Sequence, residues 1–195
     1  VLLLDVEDSV PPPNKELARE IIKQKVELSL FNNHLVFIRL NELKSGYLLN
    51  DVLTLAINGI EGFLLSKTNE MEDVVFLDKL LTEIEKEKNF QIVKFKIIPI
   101  LETAASIVNA KKIAKSSKRI IALGFGSEDF VSDLEGIRDF GSNLSIFSPR
   151  AWVALIARMH NLIPIDAAYI KVHDLDGLKA HLNVGKTLGY AGMWV

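Results

Sequence analysis

Polar residues close the apolar runs of this chain. Asp5, Glu7 and Asp8 follow VLLL, Arg39 and Asn41 close LVFIRLN, and Ser66 and Lys67 close GFLLSK. Glu102 ends FKIIPIL, Glu128 and Asp129 follow IIALGFG, and Asp166 sits in IPID. Glu102 poses the sharpest question, because a helix-like stretch begins immediately after it. A buried charge without a partner is costly, so a Glu at the end of a buried strand must be paired, neutralised or bound to something. Glu102 and Asp129 lie on consecutive runs, in a chain without cysteine or paired histidines. Two carboxylates of that kind favour a hard cation, Mg²⁺ or Mn²⁺. Arg39 and Lys67 are then left for an anionic substrate, with Arg39 offering a two-pronged fork to a carboxylate.

The elements that must position these residues follow from periodicity. Short apolar runs at 1–6, 35–40, 60–67, 95–101, 119–125, 163–170 and 190–195 read as strands. Stretches of helical period separate them, at 15–31, 48–59, 70–88, 103–117, 149–161 and 174–189. In the first helix Leu17, Ile21, Ile22, Val26, Leu28 and Leu30 predict an apolar stripe, and Thr103 is the expected cap of the fourth. Continuous apolar strands alternating with helices predict a parallel α/β sheet. Periodicity alone allows either an open doubly wound sheet or a (β/α)8 barrel, a full barrel taking about 250 residues. In either fold the C-terminal strand ends share one rim, so scattered charges converge in space.

Composition excludes several functions. A formal charge of −2 over 195 residues gives no electrostatic case for nucleic acid or an anionic membrane. No apolar run approaches the roughly 20 residues of a membrane span. The absence of cysteine removes disulfides, thiolate metal sites and cysteine nucleophiles, and suits the cytoplasm. Gly124-Phe125-Gly126 lacks the third glycine of a dinucleotide loop, and Gly185-Lys186-Thr187 lacks the upstream glycine of a phosphate loop. The four histidines have no metal-ligand spacing and are expected at the surface or at helix ends. The chain opens in one strand-like run, closes in another and has no initiator Met, so both ends read as cut.

Taken in order, the strand ends resemble a known family. The stretches LLLDVEDSV with Lys15 and Ala18-Arg19, FIRLNEL, LLNDVLTLAINGIEGFLLSK, ILETAASIVNAKKIA, IIALGFGSEDF and IDAAYIKVHDLDGLKAHLNVGKTLGYAG are similar to the citrate lyase beta-subunit-like aldolases of the HpcH/HpaI group. That group includes citryl, malyl-CoA and citramalyl-CoA lyases. The resemblance implies a (β/α)8 TIM barrel over 1–195 as a single domain lacking its first strand and C-terminal tail. It implies Mg²⁺ on Glu102 and Asp129, Arg39 binding the substrate carboxylate and stabilising an enolate, and Glu7 and Asp8 orienting Arg39 or metal-bound water. The implied reaction cleaves a 3-hydroxyacyl thioester, on CoA or a carrier protein, to an acyl thioester and a 2-keto acid. The resemblance also implies a homo-oligomer, trimer or hexamer. Ser66 stands at a usual proline and Met193 at a usual lysine. A relative that binds keto acid or partner subunits without turnover is the alternative.

Overall fold

The computed structural model describes residues 1–195. Seven strands form: β1 (Leu2–Asp5), β2 (Val36–Leu40), β3 (Gly62–Leu65), β4 (Lys96–Leu101), β5 (Ala122–Phe125), β6 (Ile163–Asp166) and β7 (Gly192–Met193). The helices are α1 (Lys15–Glu27), α2 (Leu48–Leu55), α3 (Met71–Glu87), α4 (Ala104–Ala114), α5 (Ser127–Asp133), α6 (Leu144–Met159) and α7 (Leu175–Leu188). All neighbouring strands pair in parallel, in the order β1 to β7. A doubly wound sheet reverses its strand order at a switch point. Here the order never reverses, so the sheet is a curled half-barrel of seven strands.

Side-chain alternation sorts each strand into two phases. One phase packs outward against the helices, where Ile38, Leu40, Phe63, Leu65, Ile97 and Leu101 join the main core. The other phase faces the concave side, where Phe37, Leu64, Ile98, Ile100 and Ala122 cluster with Leu3, Ile165 and Trp194. Asp5 shares its phase with Leu3, Arg39 with Phe37, and Glu102 with Ile98 and Ile100. The concave phase therefore turns from apolar to charged as the strands reach their C-terminal ends. Cα register adds that Asp5 lies opposite Arg39 on the neighbouring strand.

Helix starts follow local chemistry. Thr103 accepts from the Ser106 backbone N–H at 3.1 Å, and Ser106 Oγ accepts from Thr103 N at 2.9 Å, a reciprocal cap at the start of α4. Glu70 and Asp73 cap α3 in the same way, and Asp174 caps α7 through Gly177 N at 2.9 Å.

Several expectations change. The stripe predicted for α1 is buried only in part: Val26 is buried and Ile22 packs on the core, but Leu17, Ile21, Leu28 and Leu30 are exposed, while Lys15 and Arg19 are buried. Lys15 Nζ is held by the carbonyl oxygens of Val6 (2.8 Å) and Glu7 (2.7 Å) and by Asn41 Oδ1 (2.6 Å). Arg19 pairs with buried Asp51 at 3.0 Å. Those bonds meet the cost of burying cations, which hydropathy alone counts against burial. The fifth predicted helix starts at Leu144 rather than Pro149, so Pro149 lies inside α6. Burial of Ile146 anchors the extra turn. The helix predicted to end at Gly59 ends at Leu55, and the sixth strand stops at Asp166.

Candidate active site

Arg39 stands at the C-terminal rim between two acids. Its Nε donates to Asp5 Oδ1 at 2.8 Å and its Nη2 to Asp5 Oδ2 at 2.5 Å. Its Nη1 lies 3.2 Å from Glu7 Oε2. Glu7 also reaches Lys67, whose Nζ is 3.5 Å from Glu7 Oε1. Burial pushes the Asp5 carboxyl up, but hydrogen bonds from Arg39, Ser9 and the Glu7 N–H outweigh it and hold Asp5 at about 2. Burial leaves the Glu7 carboxyl raised, despite the Asp8 N–H and the charges of Arg39 and Lys67. Arg39 itself is held more firmly protonated by Asp5, Glu7 and Asp8, against its own burial.

Glu102 is 4% exposed. Its side chain has one hydrogen bond, Oε1 accepting from Lys67 N at 2.6 Å. Lys67 adopts a φ of 46°, in the left-handed region. Burial raises the Glu102 carboxyl most, and the charges of Asp129 and Glu7 add to it. The Lys67 N–H and Arg39 only partly offset this, so Glu102 is pushed up to about 8. Gly126 is the close neighbour that permits this placement: a Cβ there would lie 2.6 Å from Glu102 Cβ and 2.5 Å from Oε2. The GFG sequence thus serves backbone approach to a carboxylate.

Asp5, Arg39, Glu102 and Asp129 line one cavity of about 400 Å³, walled by Leu64, Ile100, Phe125 and Trp194. Glu128 also lines it and is pinned by Arg138 Nε at 3.0 Å. Of the residues singled out from sequence, Arg39, Glu102 and Asp129 come together here. Glu7 and Lys67 stand behind Arg39 and Glu102, outside the lining. Asp8 is exposed and its carboxylate makes no hydrogen bond or ion pair. Asp129 reaches the cavity from the first turn of α5, not from the end of β5. Asp5 was not singled out as a site residue, although its phase with Leu3 was the available signal.

Asp166 leaves the rim altogether. It pairs with fully buried Arg150, whose Nε donates to Asp166 Oδ1 at 2.8 Å. His181 is also fully buried, contrary to the expected surface position, with Nε2 3.2 Å from the Ala167 carbonyl. Burial and Arg150 push its pKa down, which keeps the ring neutral. Gly185 permits the packing, since a Cβ there would lie 2.9 Å from Arg150 Nη2. That accounts for the glycine of the Gly-Lys-Thr stretch without a phosphate.

No set of three or more His, Cys, Asp or Glu side chains is arranged around a common point. The donor chemistry nevertheless fits a hard divalent cation. Glu102 is a buried acid whose ionisation is opposed by neighbouring acids, the condition that a cation relieves. With Glu102 and Asp129 as the protein ligands, water or substrate would complete the shell, as is usual for Mg²⁺.

The chain is 27% identical over 191 residues to citrate lyase subunit beta of Haemophilus influenzae, covering 98% of this chain and 65% of that one. It is 29% identical over 213 residues to the L-malyl-CoA/beta-methylmalyl-CoA lyase of Rhodobacter capsulatus, covering 100% of this chain and 67% of that one. The chain therefore spans about two thirds of the length of these curated relatives. Its fold is similar to the Mycobacterium tuberculosis CitE protein solved with magnesium and pyruvate, with a TM-score of 0.81, 21% identity and coverage of 99% and 74%. It is also similar to the Haloferax volcanii malate synthase solved with magnesium and glyoxylate, with a TM-score of 0.87, 17% identity and coverage of 99% and 61%. The model of the HpcH/HpaI aldolase/citrate lyase family matches residues 1–195, and the chain belongs to that family.

Proposed function

We propose that this chain is a Mg²⁺-dependent carbon–carbon lyase that cleaves a 3-hydroxyacyl thioester of the citryl, malyl or citramalyl type. The products are an acyl thioester and a 2-keto acid. The observation that carries the reading is the convergence of buried Glu102, Asp129 and Arg39 on one cavity. The lyase names of the curated relatives support it. So do the magnesium and keto acid with which neighbours of the same fold were solved.

In this reading Glu102 and Asp129 hold Mg²⁺, which supplies Lewis-acid polarisation to a substrate oxygen when bound. Arg39 binds the substrate carboxylate with whatever donor capacity Asp5 and Glu7 leave it. Its fixed charge also stabilises negative charge as it develops. Cleavage breaks the C2–C3 bond as the C3 hydroxyl loses its proton and becomes the ketone. The bonding electrons stay with the acyl thioester as an enolate, which takes up one proton at C2. Asp5 holds the Arg39 fork in one orientation, so little reorganisation is needed during the step. Glu7 and Lys67 form the layer behind, Glu7 contacting both cations. Leu64, Ile100 and Phe125 give the cavity an apolar wall, which strengthens the charge interactions beside it. The same reading takes the curled sheet as part of a (β/α)8 barrel, residues 1–195 as one domain, and the cytoplasm as its compartment.

Calorimetric titration of oxaloacetate, pyruvate and glyoxylate, in Mg²⁺ and in EDTA, tests it. Binding of one keto acid that requires Mg²⁺ is expected, followed by cleavage of the matching acyl-CoA. Absence of binding under both conditions would overturn the reading.

A further inference from the structure

Arg39 and Arg150 each turn one edge of the guanidinium, Nε and Nη2, onto both oxygens of a single carboxylate. Arg39 grips Asp5 in this way and Arg150 grips Asp166. Arg138 differs. Its Nε donates to Glu128 Oε1 at 3.0 Å, while its Nη2 is buried and has no partner. Glu128 takes both of its hydrogen bonds on Oε1, the second from Ser127 Oγ at 2.9 Å. The Glu128 side chain is 38% exposed, against 9% for Arg138. A two-pronged pair is the stronger and the more fixed in geometry. A one-pronged pair leaves the more exposed partner, Glu128, the freer to turn.

Arg138 is anchored from behind. Its Nη1 donates to the Asp139 carbonyl at 2.8 Å and to Asn143 Oδ1 at 3.2 Å. Its guanidinium lies 4.3 Å from the centre of the Phe140 ring. Arg138 does not line the cavity, but Glu128 does, beside Asp129 in the first turn of α5. Four acidic side chains line that cavity: Asp5, Glu102, Glu128 and Asp129. Asp5 is held by Arg39 and Glu128 by Arg138, whereas Glu102 and Asp129 form no ion pair. Two carboxylates are thus neutralised from within the fold, and two are left for a cation.

We propose that Arg138 is a positioning residue: by holding Glu128 it keeps a third carboxylate off the divalent cation of Glu102 and Asp129, and so reserves that cation's open positions for substrate. The inference rests on the lyase reading above. A divalent cation on two carboxylates is electrically neutral. A third carboxylate gives the site a net negative charge and takes a position that water or a keto acid needs. Arg138 therefore favours an anionic substrate without touching it.

Titration of Mn²⁺, a spectroscopic stand-in for Mg²⁺ at oxygen ligands, tests it. Wild type, Arg138→Gln and the double variant Arg138→Gln/Glu128→Gln are compared, each alone and with oxaloacetate, pyruvate and glyoxylate. In Arg138→Gln the freed Glu128 should tighten Mn²⁺ binding about tenfold and weaken keto-acid binding about tenfold. Water-proton relaxation should show about one fewer water on the bound Mn²⁺. A damaged fold would weaken both ligands, so the opposite signs distinguish positioning from a structural role. The double variant has no stray carboxylate and should return every reading to within about twofold of wild type. Arg138→Gln that shifts neither affinity, or weakens both, would overturn the proposal and leave the lyase reading standing. So would a double variant that restores nothing. Wild type without metal-dependent keto-acid binding would instead overturn the lyase reading, and this inference with it.

Discussion

Two buried glutamates at opposite ends of the sheet receive opposite treatment. Glu85, near the base, accepts from Arg119 Nη1 and Nη2 at 2.7 Å each, from Val93 N at 2.9 Å and from Phe95 N at 3.1 Å. Glu102, at the rim, accepts one hydrogen bond and faces two other acids. Burial pushes both carboxyls up. At Glu85 the Arg119 and backbone donors win and the net direction is down, whereas at Glu102 the acid neighbours reinforce burial. Arg119 is itself saturated by Glu85, Asp78 at 2.5 Å, Thr82 at 2.8 Å and the Phe95 carbonyl at 3.1 Å. A charge cluster whose bonds are all made internally holds the fold. One left short of partners, around a cavity, is disposed to bind something.

The largest expected effect breaks the base cluster. Arg119→Leu leaves Glu85 buried without its cation and should cost about 3–5 kcal/mol of stability, read as a lower denaturant midpoint. Keto-acid affinity of the folded fraction should stay within about twofold, since the whole sheet separates the two sites. At the rim the pattern reverses. Glu102→Gln should leave unfolding stability equal to or higher than wild type. It should weaken Mg²⁺-dependent keto-acid binding about a hundredfold or more, since even outer partners of a metal ligand are worth about 10–100-fold. Unchanged Mg²⁺-dependent binding in that variant would remove Glu102 from the metal site.

Asp5 sharpens the contrast, because it mixes both roles. It is satisfied like Glu85 yet lines the cavity beside Glu102. Asp5→Asn keeps the shape and loses the charge that fixes the Arg39 fork. A charge-assisted pair of this kind is worth about 1.5–3 kcal/mol, so keto-acid affinity should fall about tenfold. Glu7→Gln should do less, Glu7 Oε2 being 3.2 Å from Arg39 on one prong only. A larger effect from Glu7 than from Asp5 would make Glu7 the residue that positions Arg39.

Glu102 was legible in the sequence because a charge that ends an apolar run just before a Thr cap has few solvent-facing options. Arg39 was legible for the same reason, in phase with Phe37. Asp5 was legible by its phase with Leu3, but Glu7 and Asp8 were not separable, since the chain leaves β1 at Asp5 and parity stops predicting direction beyond it. The strands could be placed along the chain from the apolar runs, but their order in the sheet could not, because periodicity fits a doubly wound sheet as well as a barrel. Helix α5 was hidden: seven residues, Ser127–Asp133, are too few to display a helical period. Asp129 was therefore assigned to a strand end when it sits in a helix turn. Lys15 and Arg19 were hidden because their burial depends on oxygens from Val6, Glu7, Asn41 and Asp51, partners that only the fold brings together.

The pH dependence of stability separates the two glutamates by sign. Stability rises with pH wherever the unfolded chain binds more protons than the folded one. Asp5, held at about 2, and Glu85, held below its usual range, lose protons before their unfolded counterparts do. Their contribution is complete above the unfolded pKa values of about 4 and is lost as pH falls toward 2. Glu102 is held at about 8, so in EDTA the folded chain keeps a proton that the unfolded chain has already released. Its contribution is complete below about 4 and is lost as pH rises toward 8. Urea unfolding across that range, in EDTA, should therefore show an acid limb that Asp5→Asn flattens and an alkaline decline that Glu102→Gln flattens. Mg²⁺ should flatten the alkaline decline in the wild type and leave the acid limb alone. An alkaline decline that persists in Glu102→Gln would assign it to another group and return Glu102 to the same class as Glu85.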